Sequence, residues 1–368
     1  MRTGDVVATW LQSTCSKRGA VPGTVMDPSQ KRYLILAEEF SHDPHYGKTL
    51  RGVMRYRRES VVAILDTRRA GEVDDGVPIV ARVDDALCFN PDTALVGVVT
   101  QGGRFPADWR ALLRTCVSKG LHLENGLHVR LKDDPELVDL ARRHNVELRD
   151  LREPPSDLST ATGANLDVDA TIVLTVGSDC AIGKMTATCE LDLEARRRGL
   201  ESVFVPTGQT GIAIAGWGIA VDAVVSDFLA GAAERLVVEG AQLGNLLWVE
   251  GQGAILHPIY SGVTLGLIHG SAPHLYVLCH EVGRTQVEGD PTHSPVPSLV
   301  ELVDLHERMS LKLRPAKVAC IALNTAFVSE EEARAAVAAA AAETGLPADD
   351  PVRFGAGKLL DAVLERAN

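Results

Sequence analysis

A chain of 368 residues is longer than one ordinary hydrophobic core supports, so two domains are expected. Its 37 Lys and Arg against 49 Asp and Glu leave a net charge of −12, which argues against a nucleic-acid or anionic-membrane surface, and no apolar run nears the roughly 20 residues that span a bilayer. The 7 cysteines are scattered, odd in number and without C-x-x-C spacing, the usage expected of reduced thiols in a cytoplasmic protein.

In chain order, residues 1–31 read as an extension, disordered or optional, and the first 25 lack the long apolar core of a signal peptide. Residues 32–151 alternate in the βα manner. Strands are predicted at Tyr33–Ala37, Val61–Leu65, Ala94–Val99, Leu121–Glu124 and Val146–Leu151, with helices at Lys48–Tyr56, Ala107–Lys119 and Pro135–His144. This alternation predicts a parallel sheet with helices on both faces, a Rossmann-like domain without the G-x-G-x-x-G fingerprint of dinucleotide binders. Gly47-Lys48-Thr49 imitates part of a phosphate loop, but His42 stands where the leading glycine belongs, and a locally capped helix start is the simpler reading. Residues 152–169, polar and carrying Pro154-Pro155, read as a linker.

The second domain, 170–368, opens on the most informative stretch. An aliphatic run, Thr171–Val176, meets a loop of small residues, Gly177, Ser178, Asp179, Cys180, Ala181, Ile182 and Gly183, and then Lys184 and a helical segment. Loop amides, the positive end of a helix and a lysine make an anion cradle. Two departures matter. Gly177 lies one residue further from Gly183 than in the standard loop, and Met185 occupies the place of the Ser or Thr hydroxyl that holds Mg²⁺, with Thr186 one position later. Further strands are predicted at Ser202–Val205, Leu246–Val249, Leu275–Cys279 and Lys317–Leu323. Helices are predicted at Ala220–Val237, Ser298–Met309, Ser329–Glu343 and Gly357–Arg366. The fold class is thus α/β: an N-terminal Rossmann-like domain and a C-terminal, P-loop NTPase-like, doubly wound domain.

Ligands of such sheets dock beyond the strand C-termini, and the segment after each strand here is polar. After Ser202–Val205 comes Thr207-Gly208-Gln209-Thr210-Gly211. After Leu246–Val249 come Glu250-Gly251-Gln252-Gly253, His257, Tyr260-Ser261 and His269. His280-Glu281 and Asn324-Thr325 close the last two. Gln209, Thr210, Gly211, Tyr260 and Ser261 are candidate substrate contacts.

The loop GSDCAIGK, the TGQTG turn, VEGQG and ALNT together resemble the dethiobiotin-synthetase-like branch of P-loop proteins. From about Tyr33 onward the chain resembles a bacterial two-domain P-loop family, long catalogued only as a domain of unknown function, through GKT–RGVMRYR, GSDCAIGKMT, TGQTGIAIAG, VEGQGAILHP, SGVTLGLIHGSAP and DPVRFG. That family includes DgcN-type D-glutamate (D-amino acid) N-acetyltransferases, so the resemblance implies acetyl transfer from acetyl-CoA to a D-amino acid.

Residues 177–186 would then hold the coenzyme A phosphates, and Asn324 would face adenine. Acetyl transfer to an amine needs a base and oxyanion donors. His257 and His269 are candidate bases, with Asp179 and Glu250 as alternatives if a dry, like-charged pocket raises their pKa. Backbone amides of the Gly251–Gly253 or Thr207–Gly211 turns are the oxyanion candidates. The substrate's carboxylates need cations, and Lys48, Arg51 and Arg55 on the first helix are proposed, placing the substrate between the domains. No resident metal is expected. Two other readings stay open: an ATP- and Mg²⁺-dependent ligase or kinase-like enzyme with Thr186 and Glu250 on the metal, and a nucleotide-dependent switch or metallochaperone. The partner expected is a small-molecule amino acid, and a homo-oligomer is left open.

Overall fold

The computed structural model describes residues 31–43, 46–106, 108–290 and 292–367. The extension expected over residues 1–31 lies outside these, Lys31 excepted. The chain forms two units, one running through Glu153 with Ile212–Gly216 added, the other holding Pro154–Gly211 and Trp217 onward.

In the first unit, short aliphatic runs become strands because both faces of the sheet are covered; Leu34, Ile35 and Leu36 are wholly buried. The strands are β1 (Tyr33–Leu36), β2 (Val61–Leu65), β3 (Val73–Asp74), β4 (Val77–Val80), β5 (Thr93–Val96), β6 (His122–Asn125) and β7 (Leu148–Asp150). Their order is β3-β4-β2-β1-β5-β6-β7, and only the β3–β4 pair is antiparallel. Without β3 this is the doubly wound Rossmann order. The helices are α1 (Lys48–Tyr56), α2 (Val83–Ala86), α3 (Trp109–Ser118) and α4 (Pro135–His144). The β3–β4 hairpin was not anticipated, although Asp75-Gly76, both at positive φ (44° and 73°), is a type I′ turn signature.

The second unit carries β8 (Thr171–Gly177), β9 (Ser202–Val205), β10 (Leu246–Val249), β11 (Leu275–Glu281), β12 (Lys317–Asn324) and β13 (Ala348–Asp349), all parallel, in the order β13-β12-β11-β8-β10-β9. Its helices are α5 (Lys184–Arg197), the start of α6 (Gln209–Ala215, whose residues from Ile212 on belong to the first unit), α7 (Ser226–Gly240), α8 (Ser261–Ser271), α9 (Leu299–Arg308), α10 (Glu330–Thr344) and α11 (Gly357–Ala367). Alternate residues of β8 face opposite cores. Ile172, Leu174 and Val176 pack with side chains of α7, α8, α9 and α10, whereas Val173 packs with those of α5 and α11.

Helices α7 and α8 depart from expectation. Residues 220–225 do not extend α7, which begins at Ser226. Ser261–Ser271, expected as loop, is α8, whose glycines serve close packing: a Cβ on Gly266 would meet the Leu229 side chain at 2.0 Å, and one on Gly270 the Ala230 oxygen at 2.2 Å. Small residues there let α7 and α8 touch.

Candidate functional site

The loop between β8 and α5 is shaped by three special positions. A Cβ at Gly177 would meet Ile182 Cδ1 at 2.7 Å, so a larger residue there would displace the Ile182 side chain. The chain then turns through Ala181 (φ 55°) and Gly183 (φ 103°), both in the left-handed region, before Lys184 opens α5. Lys184 is buried, and its ammonium donates to the Asp179 carbonyl at 2.6 Å. Desolvation pulls its pKa down, opposed by Cys180, Cys279 and the carboxylates of Asp179 and Glu250. Met185 and Thr186 are half-buried on the first turn.

Glu250 comes directly after β10, the strand beside β8. Its buried carboxylate accepts the Thr207 and Gly208 amides at 2.9 and 3.1 Å. Burial, reinforced by Asp222, pushes the carboxyl up to about 7, although those amides and Lys184 pull the other way. Glycines crowd around it. A Cβ on Gly211 would lie 2.4 Å from Glu250 Oε2, and one on Gly251 would lie 1.7 Å from the Thr175 oxygen. Gln252 ties the wrap together by bonding the Thr207 oxygen and, at 3.1 Å, its hydroxyl. The amides of Thr207 and Gly208 are therefore engaged by Glu250, and that of Gly251 by the Thr175 hydroxyl at 2.9 Å. These three are not free oxyanion donors, contrary to expectation. Gln209, Thr210 and Gly211 are buried and form the first turn of α6 rather than an open turn.

Asp179 is wholly buried. Its carboxylate accepts its neighbour Cys180's amide at 2.7 Å and the Glu288 amide at 2.8 Å, with the Arg284 guanidinium 3.5 Å away. His257, also buried, meets the same Glu288 segment. Its Nδ1 accepts the Ile259 amide at 3.1 Å, which leaves the proton on Nε2 to be donated to the Glu288 carbonyl at 2.9 Å. Both ring nitrogens are thus engaged. Tyr260, half exposed, packs against that ring at a tilt, with the ring centres 4.7 Å apart. Asp179, Cys180 and His257 bring an oxygen, a sulfur and a nitrogen within 4.8 Å of one another. Zinc uses such ligands, but the His257 ring already spends Nδ1 on the Ile259 amide and Nε2 on the Glu288 carbonyl, and the Asp179 carboxylate accepts two amides.

His269 must be withdrawn from the site. Ser261 begins α8 beyond the C-terminal end of β10, and the helix runs back across the sheet. That places His269, near its other end, at the opposite edge, where it bonds the Met309 oxygen at 3.1 Å. Asn324 remains near the loop: a Cβ on Gly183 would lie 3.9 Å from its side chain. Its amide already donates to Glu281 at 3.2 Å and its oxygen accepts the Ala326 amide at 3.1 Å. Lys48, Arg51 and Arg55 belong to the first unit and are exposed along α1, with Arg51 donating to the His42 carbonyl at 2.8 Å.

Sequence reasoning assigned no role to several residues now found at the loop. His280 shares a 2.9 Å hydrogen bond with the Ser178 hydroxyl, and burial lowers its pKa. Arg284 bridges Glu281 and Glu288, and Glu288 reaches Asp179 and His257 through its main chain. His280-Glu281 was visible as a polar strand end. The Glu288 contacts were not, because main-chain bonds carry no side-chain signature.

Along this edge of the sheet the order β12-β11-β8-β10-β9 sets Asn324, His280, the phosphate loop, Glu250 and the Thr207–Gly211 wrap side by side. Comparison with known proteins matches this architecture. Residues 159–360 match the P-loop domain, and residues 65–154 the Rossmann-like domain, of the DUF1611 family, described as a domain of unknown function. A crystal structure of a DUF1611 family protein from Anabaena variabilis superposes with a TM-score of 0.85 at 40% identity, covering 91% of this chain and 100% of that one. Two curated relatives are named D-glutamate N-acetyltransferase. The one from Tritonibacter scottomollicae is 38% identical over 76% of this chain and 84% of its own length, and the one from Pseudoalteromonas sp. is 34% identical over 75% and 82%. The chain belongs to the two-domain DUF1611 family, Rossmann-like at its N-terminal end and P-loop at its C-terminal end, and is an enzyme of the acyltransferase class.

Proposed function

We propose that the enzyme moves an acetyl group from acetyl-CoA to the amine of a D-amino acid resembling D-glutamate, with the phosphate loop holding the diphosphate of the donor. The observation that carries this reading is the pairing of Lys184 with Glu250. A cation and loop amides able to hold an anion without a metal stand one strand away from a buried acid that titrates near neutrality. In Mg²⁺-dependent P-loop enzymes the hydroxyl after the lysine holds the metal, and Met185 lacks one.

Glu250 accepts a proton from the substrate ammonium, and the freed amine attacks the thioester carbonyl. The new C–N bond forms as the C–S bond breaks, and the second amine proton leaves with the coenzyme A thiol. A carboxyl near 7 is matched to that exchange at neutral pH.

Calorimetric titration with acetyl-CoA, ATP–Mg²⁺ and GTP–Mg²⁺ in separate runs tests the donor. Acetyl-CoA is expected to bind without Mg²⁺, and acetylation of D-glutamate is expected to outrun that of L-glutamate. Heat from ATP–Mg²⁺ alone would replace this reading with a ligase or kinase.

A further inference from the structure

Phe327 is 77% exposed at the ligand edge of the second sheet, three residues beyond Asn324. Single exposed apolar residues are common, but this one is held with unusual care. It rides on the turn Thr325–Val328, closed by a 3.3 Å bond from the Val328 amide to the Thr325 oxygen. Buried Asp350 grips the turn from one side, accepting the Thr325 amide and hydroxyl at 3.0 and 2.5 Å. Arg353 grips it from the other, donating to the Thr325 and Val328 oxygens at 2.7 and 3.0 Å. Asp350 also accepts the amides of Val352 and Arg353, so one carboxylate fixes both sides of the clamp. Asp350 and Arg353 of the DPVRFG stretch, for which the acetyl-transfer chemistry has no use, thus hold the turn that carries Phe327.

Position identifies the occupant. The turn comes after β12, two strands from β8 in the order β12-β11-β8, which is about 10 Å at the usual strand spacing. That matches the reach from a diphosphate in the loop, across a ribose, to its base. Asn324, between them, sits against the last loop glycine. Neighbouring Phe354 is already covered by the Arg334 guanidinium at 4.5 Å, whereas no such cover over Phe327 is found among the described residues. We propose that Phe327 is the stacking platform for the adenine ring of the acyl-CoA donor. This rests on the donor assignment made above, and adds the residue that selects a nucleotide-bearing donor over a bare thioester.

The test uses the full chain with two donors, acetyl-CoA and S-acetylpantetheine, which lacks the adenine nucleotide. Loss of base stacking by alanine substitution typically weakens binding about ten- to a hundredfold. Phe327→Ala is expected to raise Kd and KM for acetyl-CoA by that factor, to leave KM for S-acetylpantetheine and for the amine unchanged, and Phe327→Trp is expected to restore acetyl-CoA binding. Wild-type affinity of Phe327→Ala for acetyl-CoA, or equal loss with both donors, overturns the platform alone. An oligomer that Phe327→Ala dissociates in sedimentation, with donor binding intact, would make a second copy the occupant and overturn it too. A wild-type chain that gives no heat with acetyl-CoA overturns the donor assignment and the platform together.

Discussion

The ammonium nitrogen of Lys184 lies 2.6 Å from the carbonyl oxygen of Asp179, so the cation of the phosphate loop is held by the loop's own backbone. An incoming anion competes with that carbonyl for Lys184. Asp179 cannot drift to follow it, because its carboxylate is fixed by the Cys180 and Glu288 amides. The cradle is therefore preorganised, and the charge of Lys184 is already desolvated before ligand arrives. Both features favour tight, metal-free binding of a multiply charged anion.

Lys184→Ala removes a full positive charge from the cradle. Charge-assisted hydrogen bonds contribute roughly 1.5–3 kcal/mol, so affinity for acetyl-CoA should fall about ten- to a hundredfold. Loss of a buried, desolvated charge should leave the fold intact by circular dichroism. An unchanged Kd in a folded variant would remove the loop from the binding site.

Glu250→Gln should alter two pH profiles. The wild-type carboxyl holds its proton up to about 7 in the folded protein, against an ordinary value of 4.5. Its contribution to stability is therefore full below 4.5 and is lost as pH rises through 7. The glutamine variant should lack this slope in urea titrations taken between those pH values. In turnover, the acidic limb of kcat/KM near 7 should vanish along with most of the rate, since the deprotonated form is the base. Retention of that limb in Glu250→Gln would assign it to another group.

Gly251→Ala places a methyl group 1.7 Å from the Thr175 oxygen, and neither the strand nor the turn can give way without breaking the 2.9 Å bond from the Gly251 amide to the Thr175 hydroxyl. Overpacking of this kind costs about 1–3 kcal/mol or more, which equilibrium urea unfolding would register as a lower midpoint. Wild-type stability would mean that β8 and β10 are looser here than their pairing implies.

How far the site was legible in the sequence depends on the kind of interaction involved. The β8–loop–α5 unit was plain because its function needs particular residue types, glycines and a lysine, at fixed spacing. Asn324 and Glu250 were found by looking just beyond the C-terminal end of each strand, where parallel sheets bind their ligands. Helix α8 was hidden because Gly266 and Gly270, which lower helix propensity, are there to let α7 approach. The mistaken placement of His269 came from that omission, since a loop would have stayed at the ligand edge and a helix does not. Three of the candidate oxyanion amides, those of Thr207, Gly208 and Gly251, were ruled out for a different reason. Sequence locates a backbone N–H but not its partner, and here Glu250 and Thr175 were the partners.

His269→Gln consequently serves as a control for the topology. Its ring bonds the Met309 oxygen at the far edge of the sheet, so kcat and both KM values should stay at wild-type levels. A large fall in kcat would contradict the course of α8.

Metal removal is the sharpest test of the chemistry as a whole. The residue after Lys184 is Met185, whose thioether is a soft, weak ligand for Mg²⁺, an ion that prefers oxygen. Thr188, the next buried hydroxyl of α5, is already bonded to the Lys184 oxygen at 2.7 Å and to the Thr175 hydroxyl at 2.9 Å. Glu250, another candidate oxygen ligand, holds its proton near neutrality and is wrapped by backbone amides. Mg²⁺ would be held mainly by water and phosphate, a poor anchor for hydrolysis. The diphosphate of coenzyme A needs only the loop amides and Lys184. Acetylation of a D-amino acid should therefore continue in excess EDTA, and ATP should not be consumed. Abolition of activity by EDTA, rescue by Mg²⁺ and ATP loss in step with product would instead establish an ATP-dependent enzyme, with Thr186 as the residue to test for metal coordination.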